Sequence, residues 1–546
     1  MDWLRSLDTS AFRFVNISLS HPVLDRVMPF FSDNVIFFPA LVVVAALLLW
    51  KGGVKGRVFV FMLLLVVSIG DGWICKTLKE TIGRLRPFNV IEDANVLLGK
   101  GGSGSMPSSH AANWFSATMV AFLYYRRSWL WMLPVAVTVG FSRIYNGVHY
   151  PGDVLAGAAL GAAYGFAIVR GFNCLWERFG PRWMPLWHQR LPSLIHVSRF
   201  TPQSPASAQP AVTDAQWLRA GYLVIFILLV ARLGYLAAGK IELSEDEAYQ
   251  WLWSKHLALS YYSKPPMIAY AQFLGTSLWG DTTFGVRFLS PVIAALLSFL
   301  TLRFLAREVS ARVGFLAVVM VSATPLLAVG ATLMTIDPLL VLFWTAAMIA
   351  GWRACQPTGT TAQWCWAGLW MGLAFLSKYT ALFQWVCWLI FFALWPPARA
   401  QLRKPGPWLA LLITLACTLP VLVWNAQHGW ITVSHVADNA GLTEPWRPTL
   451  RYFWDFLGSQ AALLNPVFFL GMLWAVFAFW KRHRRDSLLL FFFSMGAPVY
   501  FGYLLFTSYK RVFPNWIAPA ILPLLLLALV YWERRWREGL FAARKI

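Results

Sequence analysis

Long apolar runs, broken by short charged punctuation, dominate the chain. They fall near residues 36–50, 57–75, 110–125, 128–142 and 153–170. A second set falls near 217–238, 284–304, 313–329, 338–352, 364–377, 380–395, 407–423, 460–480, 488–506 and 516–532. Most approach the roughly 20 residues a helix needs to cross a hydrocarbon core at about 1.5 Å per residue. The pattern predicts an all-α, polytopic membrane protein with about five helices followed by about ten. Residues 8–31 are only patchily apolar, with Arg13, Asp25 and Arg26, and predict an interfacial helix. Between the two sets lies HVSRFTPQSPASAQPAVTDA, residues 196–215, rich in Pro, Ser, Ala and Gln. It reads as a flexible cytoplasmic linker between a first membrane domain, 1–195, and a second, 216–546.

The basic residues refine this into a topology. Clusters stand at Lys51, Lys55 and Arg57, at Arg126 and Arg127, and at Arg170, Arg178, Arg182 and Arg190. In the second half they stand at Arg399, Arg403 and Lys404, at Lys481, Arg482, Arg484 and Arg485, and at Arg534, Arg535, Arg537, Arg544 and Lys545. Placing all of these on the cytoplasmic side puts loops 76–109, 143–152, 239–283 and 424–458 on the opposite side, the periplasm of a Gram-negative cell. The tips around Asp337, Lys378 and Lys510 would share that side.

Composition agrees with this picture. Hydrophobic residues make up 58% of the 546 and charged residues 13%, more apolar surface than a soluble domain could hide. The formal charge of +22 sits in short inter-helix clusters, which points to positive-inside loops and away from nucleic acid. Aromatic belts would absorb many of the 31 Trp and 41 Phe. The six cysteines form no CxxC pair, so neither a metal site nor a disulfide framework is expected. No compact apolar segment follows Met1–Arg5, so no cleavable signal peptide is expected.

Three segments of the first domain carry polar residues on the same expected side. KETIGRLRP holds Lys79 and Arg86, whose spacing of two helical turns predicts a shared helix face. Pro107-Ser108-Ser109-His110 follows the glycine-rich GKGGSGSM. SRIYNGVHYPGD holds Arg143, His149 and Asp153. Lys79, Arg86 and Arg143 suit phosphate oxygens, the arginines in bidentate fashion. Ser108 and nearby backbone N–H groups could add hydrogen bonds. The two histidines can divide the roles of nucleophile and acid, and one carboxylate can orient the nucleophile. This chemistry needs no metal.

In order and spacing these segments resemble the signature motifs of the type 2 phosphatidic acid phosphatase superfamily, over roughly residues 10–175. The resemblance implies that His149 attacks phosphorus to form a phosphohistidine, that Asp153 holds its imidazole, and that His110 protonates the leaving oxygen. It assigns Lys79, Arg86, Ser108, Ser109 and Arg143 to the phosphoryl group. Ser109 stands where the superfamily often has glycine.

The second domain opens its outer face with LSEDEAYQWLWSKHLALSYYSKPP. Asp246 and Glu247 lie just beyond a membrane run, and Lys264-Pro265-Pro266 follows an aromatic-rich segment. Carboxylates held at a membrane surface can serve as a general base or bind a metal, and a nearby lysine can hold a lipid phosphate. Asp337, Lys378, Lys510 and Arg511 stand at further tips. Transporters bury such groups deep within helices, so clustering at tips argues against transport. The pattern is similar to that of lipid-phosphate-sugar-dependent glycosyltransferases of the C superfamily, notably protein O-mannosyltransferases and lipid A aminoarabinose transferases, over roughly residues 215–535. The segment Trp424-Asn425-Ala426-Gln427-His428-Gly429-Trp430 adds to the likeness. The resemblance implies Asp246 as the base that activates the acceptor, Lys264, Lys378 and Lys510 as phosphate contacts, and Asp337 as a supporting carboxylate. Glu247 belongs to the same set, and a divalent cation there is left open.

The expectation is therefore a bifunctional enzyme of the bacterial inner membrane with both sites facing the periplasm. A lipid phosphatase would be joined to transfer of sugar from a polyprenyl-phosphate-sugar donor to an envelope glycolipid such as lipid A. Two alternatives stand beside it. One is an undecaprenyl-diphosphate phosphatase fused to a transferase with another acceptor. The other is a phosphatase fused to a non-catalytic scaffold or transporter.

Overall fold

The computed structural model describes residues 2–32, 34–99, 102–197, 212–439, 441 and 448–539. All regular elements among them are helices. They form two compact units, Met1–Ala211 and Val212–Ile546. The linker expected at 196–215 lies largely outside the described residues, as do Arg544 and Lys545 of the last basic cluster. Eight helices are long and apolar enough to cross a membrane, or ten if each of two bent pairs is one span. Other apolar runs form shorter helices, such as Ser109–Tyr124 with 16 residues and Trp129–Tyr145 with 17. The protein is thus a multi-pass helical membrane protein.

In the first unit, residues 8–31 are not one interfacial helix. Asp2–Arg13 and Pro22–Ser32 are separate helices, and the second starts on a proline, whose fixed φ suits a first helical position. Between them Asn16 is fully buried. Its amide donates to the carbonyls of Tyr145 at 2.7 Å and Asn95 at 2.8 Å, and its oxygen accepts from Asn95 N at 2.8 Å. One short side chain thereby ties the N-terminal segment to the loop at Asn95 and to the end of the helix carrying Arg143.

Lys79 and Arg86 do not share a helix face, contrary to the reading of their spacing. The helix Lys76–Ile82 ends at Gly83, which adopts the left-handed φ of 60°. The chain is extended by Arg86, just before Pro87. A C-terminal glycine and a proline that disfavours helix at the preceding residue account for the break.

Pro151–Trp183 is the central helix of this unit. Gly157, Gly161 and Gly165 recur every fourth residue on one of its faces. A methyl group on Gly161 would lie 2.2 Å from the Ala112 carbonyl oxygen, and one on Gly157 would lie 2.5 Å from that of Ser108. The helix Ser109–Tyr124 can therefore approach backbone to backbone. Small residues are what allow such contact in lipid, where packing rather than the hydrophobic effect holds helices together. This contact brings Ser108–His110 up to the end of the helix that carries Asp153.

In the second unit a fully buried aromatic centre joins several spans. Trp364 and Trp388 meet edge to face at 5.2 Å, and Phe391 meets Phe491 at 5.1 Å. The apolar run near 460–480 is not one straight helix. Arg451–Leu463 and Pro466–Arg482 are set at 114°. Asn465 between them takes a φ of 69°, and its side chain accepts from Val467 N at 3.1 Å, capping the helix that Pro466 starts. The tight hairpin near 364–395 consists of helices Thr361–Ser377 and Phe383–Leu394, with Lys378 extended at the corner.

Candidate active sites

The first site gathers the polar residues of all three motifs. His149 is 1% exposed and Asp153 fully buried. His149 Nδ1 lies 3.4 Å from Ser105 Oγ and 3.7 Å from Asp153 Oδ2. Ser105 Oγ in turn donates a short hydrogen bond to that same carboxylate oxygen. The Nδ1 edge of the ring is therefore occupied by a serine–carboxylate pair, which leaves Nε2 as the nitrogen able to react. Tyr150 N also donates to Asp153 Oδ2, at 3.0 Å, within the cap of the central helix. Ser108 N donates to the Asp153 carbonyl at 3.0 Å, so two of the motifs are joined through backbone.

Cations surround this imidazole. Arg86 is 7% exposed; its Nε donates to the Ser103 carbonyl at 2.8 Å and its Nη2 to Ser103 Oγ at 3.0 Å. Arg143 is 8% exposed, and its Nε has no hydrogen-bond partner among the described residues. The buried Ser108 hydroxyl is likewise unsatisfied. Unpaired buried donors are costly, and a bound anion would satisfy them. Arg143, His149, Lys79 and Arg86 are the electrostatic neighbours of His110. Burial, aided by Arg143 and Arg86 and opposed by the Asp153 hydrogen bond, pushes the His149 pKa down to about 4. Its ring is neutral at physiological pH and holds a free lone pair for attack.

Three residues of this site were not singled out by sequence. Ser105 sits in a glycine-rich segment with nothing to set it apart. Arg84 is two residues from Arg86, and its distinct direction follows from the break at Gly83. Asp8 lies on the first helix and reaches Arg84 at 2.6 Å. No local pattern points to it.

The second site is a cavity of about 750 Å³ bounded by Asp246, Lys264, Asp337, Lys378 and Asn515, with Phe383, Pro498 and Phe506 on its apolar side. Lys378 Nζ donates to Asp337 Oδ1 at 2.7 Å, and Asn515 Nδ2 donates to Asp337 Oδ2 at 2.8 Å. Lys264 and Asp246 have no hydrogen-bond partner among the described residues and stand as the unengaged cation and carboxylate of the cavity. Burial and the neighbouring Lys378 lower the Lys264 pKa, against the pull of Asp246 and Asp337. Asn515, in the segment SYKRVFPNW, was not picked out by sequence.

Two residues expected here are placed elsewhere. Glu247 lies behind the cavity wall, fully buried. Arg287 Nε and Nη2 donate to its two oxygens at 2.8 and 2.6 Å, Met334 N donates at 2.9 Å, and Ser244 N donates at 3.0 Å. Burial alone would raise the Glu247 pKa, but these donors outweigh it and hold the carboxyl below its ordinary value. The helix Glu245–Ser254, capped by Ser244, presents adjacent residues about 100° apart, so Asp246 and Glu247 cannot face the same way. Glu247 instead fixes the helix bearing Asp246 to the turn ahead of Asp337. Lys510 is not part of the cavity wall, and its Nζ donates to the Asp438 carbonyl at 3.2 Å. Among the described residues no three His, Cys, Asp or Glu side chains group as a metal site would require. Glu247 and Asp337 are both engaged by protein donors, and no step below passes through a metal ion.

Comparison with known proteins finds two separate family matches along the chain. Residues 59–176 match the model of the PAP2 superfamily. Residues 263–424 match the model described as dolichyl-phosphate-mannose-protein mannosyltransferase. A lipid A galacturonosyltransferase of Rhizobium johnstonii is 31% identical over 327 residues, covering 59% of this chain and 67% of that protein. A lipid A 4'-phosphatase of Bacteroides thetaiotaomicron is 31% identical over 177 residues, 30% of this chain and 77% of that protein. An undecaprenyl phosphate-alpha-4-amino-4-deoxy-L-arabinose arabinosyl transferase of Edwardsiella ictaluri is 31% identical over 306 residues, and the match spans only 52% of its length.

Proposed function

Because the chain belongs to the PAP2 superfamily through its first unit and to the dolichyl-phosphate-mannose-protein mannosyltransferase family through its second, we propose that it carries out two successive steps on one envelope glycolipid. The first removes a phosphate ester from lipid A. The second places a sugar from undecaprenyl-phosphate-sugar on the hydroxyl so exposed. The single observation that carries the first step is the buried, neutral His149 with Nδ1 held and Nε2 free beside unsatisfied Arg143 and Ser108 donors.

In the first step His149 Nε2 attacks phosphorus. The ester P–O bond breaks, and His110, protonated once the bound phosphate dianion offsets the surrounding cations, gives its proton to the leaving oxygen. Water then attacks the phosphohistidine, His110 takes its proton, and inorganic phosphate leaves. Lys79, Arg86, Ser108, Ser109 and Arg143 hold the phosphoryl oxygens, where preorganised charge is worth most. In the second step the acceptor hydroxyl attacks the anomeric carbon while its proton passes to Asp246. The bond from that carbon to the carrier phosphate breaks, and undecaprenyl phosphate leaves, its charge met by Lys264 and Lys378.

This transfer releases a monophosphate, so disposal of a carrier diphosphate does not account for the fusion; preparing the acceptor does. The likeness to a lipid A 4'-phosphatase and to a lipid A galacturonosyltransferase supports one glycolipid as the substrate of both units. The basic clusters support an inner-membrane enzyme with both sites on the periplasmic side. Glu92 and Tyr262 are exposed positions in the loops 76–109 and 239–283. Cysteines at these two positions, in a cysteine-free chain, should both react with an impermeant thiol reagent in cells with a permeabilised outer membrane. Labelling of only one would refute the shared compartment. Purified protein should release phosphate from lipid A in preference to undecaprenyl diphosphate, and should then consume carrier-linked sugar. Preference for the diphosphate would instead make the first unit a supplier of carrier.

A further inference from the structure

The orienting carboxylate of the phosphatase site has a second carboxylate behind it. Asp153 Oδ2 accepts from Ser105 and Tyr150 on the side of His149. Its other oxygen, Oδ1, accepts from Arg84 Nη1 at 2.8 Å. Arg84 Nη2 donates to Asp8 Oδ2 at 2.6 Å, and its guanidinium lies 4.1 Å over the ring of Tyr150. Asp8 Oδ1 accepts from Gly152 N at 2.7 Å, one residue before Asp153. A methyl group on Gly152 would come within 2.9 Å of Asp8 Oδ2, so the carboxylate rests directly on the start of the central helix. The Arg84 and Asp8 side chains are 25% and 15% exposed, which sets this chain of contacts apart from a solvated surface pair.

We propose that Arg84 is a positioning residue of the phosphatase, holding Asp153 in the rotamer that faces His149, and that Asp8 of the first helix holds Arg84. The proposal rests on the phosphatase reading above. A carboxylate tied through one oxygen only can swing about its Cβ–Cγ bond. With Oδ1 tied to Arg84, Oδ2 stays on the His149 side. When Nε2 takes the phosphoryl group the imidazole becomes cationic, and its Nδ1 proton is then held by the Ser105–Asp153 pair. Arg84 makes or breaks no bond in that step and touches no phosphate oxygen. Its loss should misplace the nucleophile and leave phosphate binding intact, and small misplacements of reacting groups cost rate steeply.

The test uses purified full-length protein and phosphate release from lipid A. Arg84→Gln should lower kcat by about 10–100-fold, with KM and inhibition by inorganic phosphate changed less than about twofold. Arg84→Lys, which keeps the charge but not the fork, should recover part of the loss. Asp8→Asn should lower kcat less, and should add little in the Arg84→Gln background, because it acts through Arg84. Wild-type kcat in both single variants would overturn the proposal. So would a raised KM with kcat retained, which would make Arg84 a phosphate contact. If Arg84→Gln fails to fold, Arg84→Lys and Asp8→Asn decide by the same division between kcat and KM. A wild-type protein that releases no phosphate at all is a different result and sinks the phosphatase reading itself.

Discussion

The two sites solve the problem of holding charge at a membrane in opposite ways. In the first unit, a histidine and a carboxylate are almost wholly buried and their partners are spoken for: Ser105, Tyr150 and Arg84 around Asp153, Ser103 on Arg86. Glycines let two helix backbones touch beside the site. In the second unit, a cavity of about 750 Å³ has one engaged ion pair, Asp337 with Lys378, and one unengaged carboxylate and lysine, Asp246 and Lys264. A phosphoryl group is small and always the same. A carrier-linked sugar meeting a glycolipid needs room and needs groups that remain available. Tight prearrangement suits the first task, and a wide cavity with spare charge suits the second.

The sharpest break between the two would come from His149→Ala. It should abolish phosphate release, a loss of at least about 10⁴-fold, because no nucleophile remains. Sugar transfer onto an acceptor supplied already dephosphorylated should persist, while transfer onto the phosphorylated acceptor should stop. Equal transfer onto both acceptors would mean that the steps are not successive.

Asp246→Asn should do the reverse, lowering sugar transfer by roughly 10²–10⁴-fold, the usual worth of a general base, with phosphate release unchanged. Transfer at the wild-type rate would remove Asp246 from that role. Glu247→Gln, one residue on, should act on stability instead. It leaves Arg287 buried without its counter-charge, a cost of about 3–5 kcal/mol. Thermal unfolding of the purified protein should show an earlier transition, with phosphatase activity retained below it. If Glu247→Gln lost transfer at full stability, Glu247 would belong in the cavity after all.

The smallest effect concerns pH. His149 must be neutral to attack, and its pKa is lowered from the ordinary 6.5 to about 4. The acid limb of phosphatase kcat/KM should therefore stay flat through pH 6 and fall only as pH drops through about 4. A limb centred near 6.5 would indicate a solvated histidine.

The membrane class and the two family resemblances could be read from one dimension because each is carried by local chemistry. Span-length apolar runs and basic punctuation are properties of consecutive residues. The three phosphatase motifs each pack several functional groups into a few positions. The transferase residues were harder, since its cations and carboxylates come singly from distant tips. Sequence grouped Glu247 with Asp246 because they are adjacent, and Lys510 with Lys378 because both are lysines at tips. It passed over Asn515.

What the sequence by itself determined is composition, span and motif: an all-helical chain in lipid, with phosphate chemistry in its first third and charge scattered over helix tips in the rest. Only the tertiary structure decided which way each polar side chain points and what already occupies it. The first helix lends Asp8 to Arg84, and Arg287 takes both oxygens of Glu247. The physical reason is that a buried charge is settled by its partner. In each of these pairs the partner lies across a tertiary contact: Asp8 is 76 residues from Arg84, and Arg287 is 40 from Glu247. No periodicity along the chain records that distance.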